Sequence, residues 1–175
     1  MGNYHIIING TARSGKDTFI DACGESNIDF NVYKTSSVDR VYEAARLLGW
    51  DNVKDEIGRK FLSDLKDLST KAYEGPMKYM EEQIKGFKSP YVAFFMIREP
   101  IEIQKFCDRF PNTYTILIQR PNIKQFKNHA DLEVENFPYD RIIFNEGSLE
   151  DLRYRSSDFM KNIKSCLRGY DVKIK

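Results

Sequence analysis

The sequence predicts an α/β fold, a parallel β-sheet covered by helices on both faces. Three observations carry this prediction. Strand-like and helix-like patterns alternate from one end of the chain to the other. The apolar runs at Tyr4–Asn9 and Tyr91–Ile97 are continuous rather than alternating, as in strands buried on both faces. No repeat, low-complexity tract or linker interrupts the alternation, and 175 residues with 41% apolar side chains suit one domain with a real core.

Taken in order, Tyr4–Asn9 is the first strand, with Ile6, Ile7 and Ile8 at its centre. A glycine-containing loop leads into a helix from about Gly15 to Glu25. Phe30–Thr35 reads as the second strand. Ser36 or Ser37 is the expected cap of the next helix, whose Val41, Ala44, Ala45 and Leu48 recur at helical spacing before Gly49 ends it. Asp55–Ala72 places Ile57, Phe61, Leu65 and Leu68 on one helical face, and Gly75-Pro76 breaks the pattern. Met77, Met80, Ile84 and Phe87 mark a fourth helix. After the strand at Tyr91–Ile97, Pro100 occupies a helical first turn, and Ile103, Phe106, Cys107 and Phe110 form that helix's buried face. Tyr114–Gln119 and Tyr139–Phe144 are the remaining strands, separated by a polar segment from Arg120 to Asp131. Ser148 and Asp151 resemble a capping box for a last helix ending near Leu167.

Charge is balanced, 27 basic against 26 acidic residues, which removes any whole-protein attraction to nucleic acid or an anionic membrane. No apolar run is long enough to span a bilayer, and the first residues lack the pattern of a signal peptide. The three cysteines, Cys23, Cys107 and Cys166, are odd in number and scattered, which fits neither a disulfide framework nor a zinc site. Reduced thiols in a cytoplasmic protein are the expectation. The 12 Phe and 10 Tyr fall mostly at core periodicity. His5, within the first strand, reads as structural.

The segment with the most specific chemistry is Gly10-Thr11-Ala12-Arg13-Ser14-Gly15-Lys16-Asp17-Thr18. It follows a predicted buried strand and opens a predicted helix, the context a phosphate-binding loop requires. The glycines allow a sharp turn, so that successive N–H groups and the helix N-terminus face an anion. Lys16 supplies a mobile positive charge for the outer phosphates. Asp17 stands where a hydroxyl usually follows the lysine, and Thr18 comes next.

The loop resembles the Ser-Gly-Lys-Asp loop of phage-type deoxynucleoside monophosphate kinases, and of the phosphomevalonate kinases that share their fold. Further segments are similar in the same order. Ser36-Ser37-Val38-Asp39-Arg40-Val41-Tyr42-Glu43 resembles a Ser-Phe-Ala-Asp-x-Leu-Lys-Glu segment, and Arg59-Lys60-Phe61-Leu62-Ser63-Asp64-Leu65 an Arg-x-x-Leu-x-x-Leu helix. Ile97-Arg98-Glu99-Pro100-Ile101-Glu102 resembles a Val-Arg-Phe-Pro-Asn-Glu turn. His129-Ala130-Asp131 is similar to a His-x-Ser-Glu lid element, and Asn145-Glu146-Gly147-Ser148-Leu149-Glu150 to an Asn-x-Gly-Ser-Leu-Glu segment. The resemblance spans most of the chain. It implies a three-layer P-loop fold with strand order 2-3-1-4-5, an acceptor-binding helical region at about 36–88 and a lid at about 120–131. It also implies phosphoryl transfer from ATP, with Mg2+, to a phosphorylated acceptor, and kinases of this type are often homodimers. Two departures stand out: Met96 replaces the aspartate usual two residues before the strand-end arginine, and Tyr42 replaces a lysine.

Phosphoryl transfer asks for positioning and positive charge rather than covalent chemistry. The candidate catalytic residues are Lys16, Arg98 and Arg120. Arg98 ends a central strand, where ligands of such sheets bind, and its planar fork suits phosphate oxygens. Arg120, Lys124, Lys127 and His129 are candidates for a basic lid that excludes water. The resemblance puts Asp39 and Arg59 on the acceptor side. Thr18 and Asp17 are the candidate Mg2+ contacts, with Glu99 as a further acid. A (deoxy)nucleoside monophosphate is the leading acceptor. A non-nucleotide or modified-pyrimidine acceptor is the alternative, and the missing acid at Met96 would also suit a module that binds ATP without turning it over.

Overall fold

The computed structural model describes residues 2–121 and 134–167. Its elements run β1 (Tyr4–Asn9), α1 (Lys16–Glu25), β2 (Asn31–Ser36), α2 (Asp39–Leu47), α3 (Glu56–Tyr73), α4 (Gly75–Gly86), β3 (Tyr91–Met96), α5 (Pro100–Arg109), β4 (Thr113–Gln119), a 3-10 turn (Val134–Asn136), β5 (Arg141–Phe144), α6 (Leu149–Lys161) and α7 (Ile163–Cys166). The chain divides into two compact units, residues 1–34 with 88–175, and Thr35–Phe87.

The larger unit is built on a five-stranded parallel sheet of order β2-β3-β1-β4-β5. β1 lies between β3 and β4 and runs parallel to both, with Ile6 opposite Phe94 on one side and Tyr114 on the other. Every residue of β1 is buried, as its unbroken apolar run demands. Alternate residues serve opposite faces. Ile6 and Ile8 join Phe19 and Cys23 of α1, Phe94 of β3 and Phe159 of α6 in one core. His5 turns to the other face, edge-on to Phe95 of β3, Phe106 of α5 and Phe110 just beyond it. Helices therefore cover both sides of the sheet. His5 donates or accepts one hydrogen bond at Tyr91 Oη (2.9 Å), and its burial among aromatic rings lowers its pKa to about 4. It is a neutral core residue.

Several local expectations need correction. Neither Ser36 nor Ser37 caps α2, which starts after Val38 without a side-chain cap. Instead the Asp39 carboxylate reaches back from the first helical turn to the Ser36 N–H (2.8 Å), so the acid holds the turn. β5 starts at Arg141, because Tyr139 and Asp140 spend their polar groups on other segments: Asp140 accepts from the N–H and hydroxyl of Thr115 (2.8 Å each). The last helix is two, split at Asn162, whose side chain bonds back to Asp158. Its start is as expected, with Ser148 and Asp151 forming a reciprocal capping box.

In the smaller unit, the Asp55 side chain caps α3 by accepting from the Gly58 N–H (2.7 Å). Glu74, left-handed at φ 52°, joins α3 to α4, and Pro76 sits in the first turn of α4. Of the apolar residues at helical spacing, Val41, Ala45 and Met80 are buried, but Leu48, Ile57 and Leu68 are exposed. Helical periodicity tells which residues share a face, not that the face is covered. No described helix is long and apolar enough to cross a membrane.

Candidate active site

The phosphate loop leaves the carboxyl end of the central strand and enters α1. At two positions its backbone is one that only glycine fits. Gly10 has φ +148°, and a Cβ there would meet the Ile118 carbonyl of β4 and lie 2.6 Å from Ser14 Oγ. Gly15 has φ +100°, and its Cβ would sit 2.6 Å from Asn145 Nδ2. Arg13 is also left-handed, at φ 64°, with an exposed side chain. Both glycines are thus required twice, by conformation and by close packing. Ser14 and Lys16 are buried, Thr11, Ala12 and Thr18 half-buried, and Asp17 exposed.

Lys16 curls over the loop. Its Nζ donates to the carbonyls of Gly10 (2.6 Å) and Thr11 (2.8 Å), with Ser14 Oγ at 3.5 Å. The ammonium is therefore held at the concave backbone, where an anion's outer oxygens would be met. Asp17 turns elsewhere: Lys34 of β2 bridges it (3.1 Å) and Asp21 one helical turn on (3.3 Å). Burial opposes the charge on Lys34, but the two carboxylates raise its pKa above the ordinary lysine value.

Two polar side chains, neither a candidate site residue in the sequence, brace the loop. Asn145, buried beyond β5, donates through Nδ2 to the Ser14 carbonyl (2.9 Å), while its own N–H reaches the Gln119 carbonyl at the end of β4 (2.8 Å). Asn9, the last residue of β1, accepts from the Gly10 N–H (2.8 Å) and donates to the Arg98 carbonyl (2.9 Å) and to Tyr139 Oη (2.7 Å). The available signal was an asparagine closing an otherwise apolar strand, a buried polar group that must find partners.

The structure thus brings the turn carrying Arg98 to the start of the phosphate loop through its backbone, and leaves the Arg98 side chain half-buried. Met96 is half-buried and packs against the core. Arg120 follows β4 and lines a cleft of about 390 Å³ together with Thr11, Gln119, Val134, Phe144 and Glu146. Glu135, which also lines the cleft, accepts from Gln119 Nε2 (3.1 Å). Asp39 and Arg59 belong to the smaller unit. The Asp39 carboxylate is engaged with Ser36, and Arg59 is exposed on α3. Lys124, Lys127 and His129 lie outside the described residues. Among the described residues no group of three or more His, Cys, Asp or Glu side chains could hold a metal ion by itself.

No protein-family model and no curated protein matches the sequence. Solved structures do. A gluconokinase from Sinorhizobium meliloti 1021 superimposes with a TM-score of 0.52 at 9% identity, over 95% of this chain and 96% of its own. A dephospho-CoA kinase from Campylobacter jejuni gives 0.51 at 17% identity, over 92% and 97%. A sugar kinase from Janibacter sp. HTCC2649 gives 0.50 at 12% identity, over 94% and 98%. At these identities the likeness is one of fold, and the fold is that of P-loop kinases.

Proposed function

We propose that this chain is an ATP-dependent phosphotransferase, most plainly a (deoxy)nucleoside monophosphate kinase. The observation that carries the proposal is the loop itself: Lys16 Nζ held 2.6 and 2.8 Å from the Gly10 and Thr11 carbonyls, over a backbone turn that Gly10 and Gly15 alone permit. A Cβ at Gly10 would strike the Ile118 carbonyl and one at Gly15 the Asn145 side chain, so the sharp turn that points successive N–H groups at an anion depends on both glycines. Lys16, the loop N–H groups and the α1 N-terminus would hold the nucleotide's outer phosphates. In this reading the cleft lined by Arg120, Val134, Phe144 and Glu146, beside Thr11, would take the rest of that nucleotide.

Each remaining residue has a defined task in this reading. Arg98, at the end of a central strand, faces developing negative charge on the transferred group or the acceptor phosphate. Arg120 adds positive charge at the cleft. Asp39 and Arg59 are assigned to the acceptor. Magnesium keeps several waters and binds through one or two protein oxygens together with phosphates, which suits Thr18 and, once released from Lys34, Asp17. When bound, magnesium neutralises phosphate charge.

The P-loop kinase fold hosts acceptors of several classes, gluconate and dephospho-CoA among those named for its fold neighbours. A non-nucleotide acceptor is therefore the second candidate within the same chemistry. A different reading is favoured by Met96, an apolar residue at the end of β3 where the resembled family carries an acid. It makes the chain a sensor that binds ATP without turnover.

One assay separates these. The protein is incubated with Mg2+-ATP and a panel of acceptors, with ADP as the readout: all common ribo- and deoxynucleoside monophosphates, phosphomevalonate, gluconate, dephospho-CoA and a hydroxymethylpyrimidine oligonucleotide. Stimulation by one or a few monophosphates is expected, falling at least about 100-fold in Lys16→Ala. Stimulation by another acceptor alone moves the substrate class. Absence of stimulation by every acceptor, with ATP binding intact, overturns the kinase reading in favour of the sensor.

A further inference from the structure

Three segments that serve the site lie far apart in the chain: the phosphate loop at Gly10, the turn at Arg98, and the 3-10 turn at Val134 bordering the cleft. Asn9 reaches all three, two directly and one through Tyr139. It is fully buried. Its Oδ1 accepts from the Gly10 N–H, and its Nδ2 donates to the Arg98 carbonyl and to Tyr139 Oη. Tyr139 Oη in turn donates to the Val134 carbonyl (2.7 Å).

The hydrogens in this chain of contacts can be placed in one way only. The Arg98 and Val134 carbonyls accept and cannot donate. The single Tyr139 proton is committed to Val134, so the hydroxyl must accept from Asn9. The amide nitrogen therefore faces Arg98 and Tyr139, and the amide oxygen faces Gly10. Burial keeps Tyr139 protonated, pushing its pKa up to about 12 against the opposing hydrogen bond from Asn9. Aspartate at position 9 has the same shape but would set an acceptor against the Arg98 carbonyl, and it could not supply both donors. Phenylalanine at position 139 keeps the ring but strips Asn9 of one acceptor and the Val134 carbonyl of its donor. Half-satisfied buried networks are costly, which is why such a network holds a single arrangement.

We propose that Asn9 and Tyr139 are positioning residues, which lock the phosphate loop, the Arg98 turn and the Val134 turn into one register, so that a displacement of any one is felt at the other two. Neither side chain needs to touch the reacting atoms. Their effect on turnover rests on the phosphotransferase reading; the coupling itself does not.

The test uses the full-length chain carrying Tyr139→Phe, with Asn9→Asp as the more disruptive companion. Hydrogen–deuterium exchange of Tyr139→Phe is expected to rise at least about fivefold in all three segments, residues 10–15, 97–100 and 134–136, while α6 stays protected. In steady-state kinetics kcat is expected to fall about tenfold with the KM for ATP within about twofold, since misplacement by a fraction of an ångström costs the transition state first. Asn9→Asp should lose more kcat by the same pattern. If Asn9→Asp does not fold, Tyr139→Phe decides alone. Exchange that rises only in residues 134–139 overturns the proposal, as does an unchanged kcat in a variant whose wild type is active. If the wild-type chain shows no acceptor-dependent turnover, the phosphotransferase reading fails, and the exchange pattern still upholds or overturns the coupling by the same criterion.

Discussion

The two units of this chain solve their packing in different ways. In the larger one, strands β1, β3 and β4 are buried almost throughout, and two polar residues at strand ends, Asn9 of β1 and Asn145 just past β5, are spent on holding the backbone of neighbouring segments. In the smaller one, α3 leaves Ile57 and Leu68 about 80% and 66% exposed. Its charges are paired on the surface, as in Arg40 with Glu82 (3.3 Å) and Lys60 with Asp64 (2.6 Å). Its aromatic contacts are peripheral too: Tyr42 stacks on Trp50 at 5.7 Å, and Lys54 lies over Tyr42 at 4.6 Å. The unit holding the phosphate loop is fixed by backbone geometry and burial. The unit holding Asp39 and Arg59 is fixed by caps and surface pairs, which tolerate substitution.

Stability measurements distinguish the two units. Phe94 is fully buried between the sheet and Phe19 (6.4 Å, edge-on), so Phe94→Ala should cost about 4 kcal/mol in urea denaturation. Phe61→Ala, half-buried on α3, should cost less than half as much; equal costs would show that the smaller unit has a core of the same quality.

Acid acts on the larger unit through His5. His5 titrates at about 4 when folded and near 6.5 when unfolded. Between those values the unfolded chain takes the proton first, so stability is lost as pH falls from about 6.5 to about 4, and no further loss comes from His5 below that. The integrated loss is about 3 kcal/mol. His5→Gln should remove that part of the pH dependence; an unchanged acid profile would refute the assignment.

Helix caps occupy the middle of the scale. Ser148→Ala in the larger unit and Asp55→Ala in the smaller should each lower stability by about 1 kcal/mol, because each removes the acceptor for an orphan N–H. A much smaller effect at Asp55 would place local fraying, rather than global unfolding, at the start of α3. At the bottom, Ile57→Ser should change stability by less than about 0.5 kcal/mol, as a surface substitution does. A larger loss would mean that this exposed side chain is covered in solution, which sedimentation of the variant against wild type would reveal.

Much of this was legible in the sequence, and the legible parts share a cause. Strands β1 and β3 announced themselves by unbroken apolar runs, because burial on both faces leaves no room for alternation. The phosphate loop was legible because its conformation admits so few residues: Gly10 and Gly15 have positive φ and neighbours where a Cβ would stand. The capping box at Ser148 and Asp151 is a contact between residues three apart, and local contacts are written in local sequence.

Tertiary structure decided the rest. Nothing near Asn9 in the chain points to Arg98 or Tyr139, which lie 89 and 130 residues away. The start of α2 eluded the pattern because no side chain caps it: the Asp39 carboxylate, inside the first turn, reaches back to the Ser36 N–H, where a serine reaching forward was the ordinary choice. The exposure of Ile57 and Leu68 was equally unreadable, since periodicity fixes a face and only the assembled chain determines what lies against it. The sequence by itself determined the sheet and the glycine-bound turn that carries Lys16, because those follow from local backbone freedom and burial. Only the folded chain decided which distant polar groups meet, because a buried hydrogen bond is specified by its partners' positions and not by their spacing in sequence.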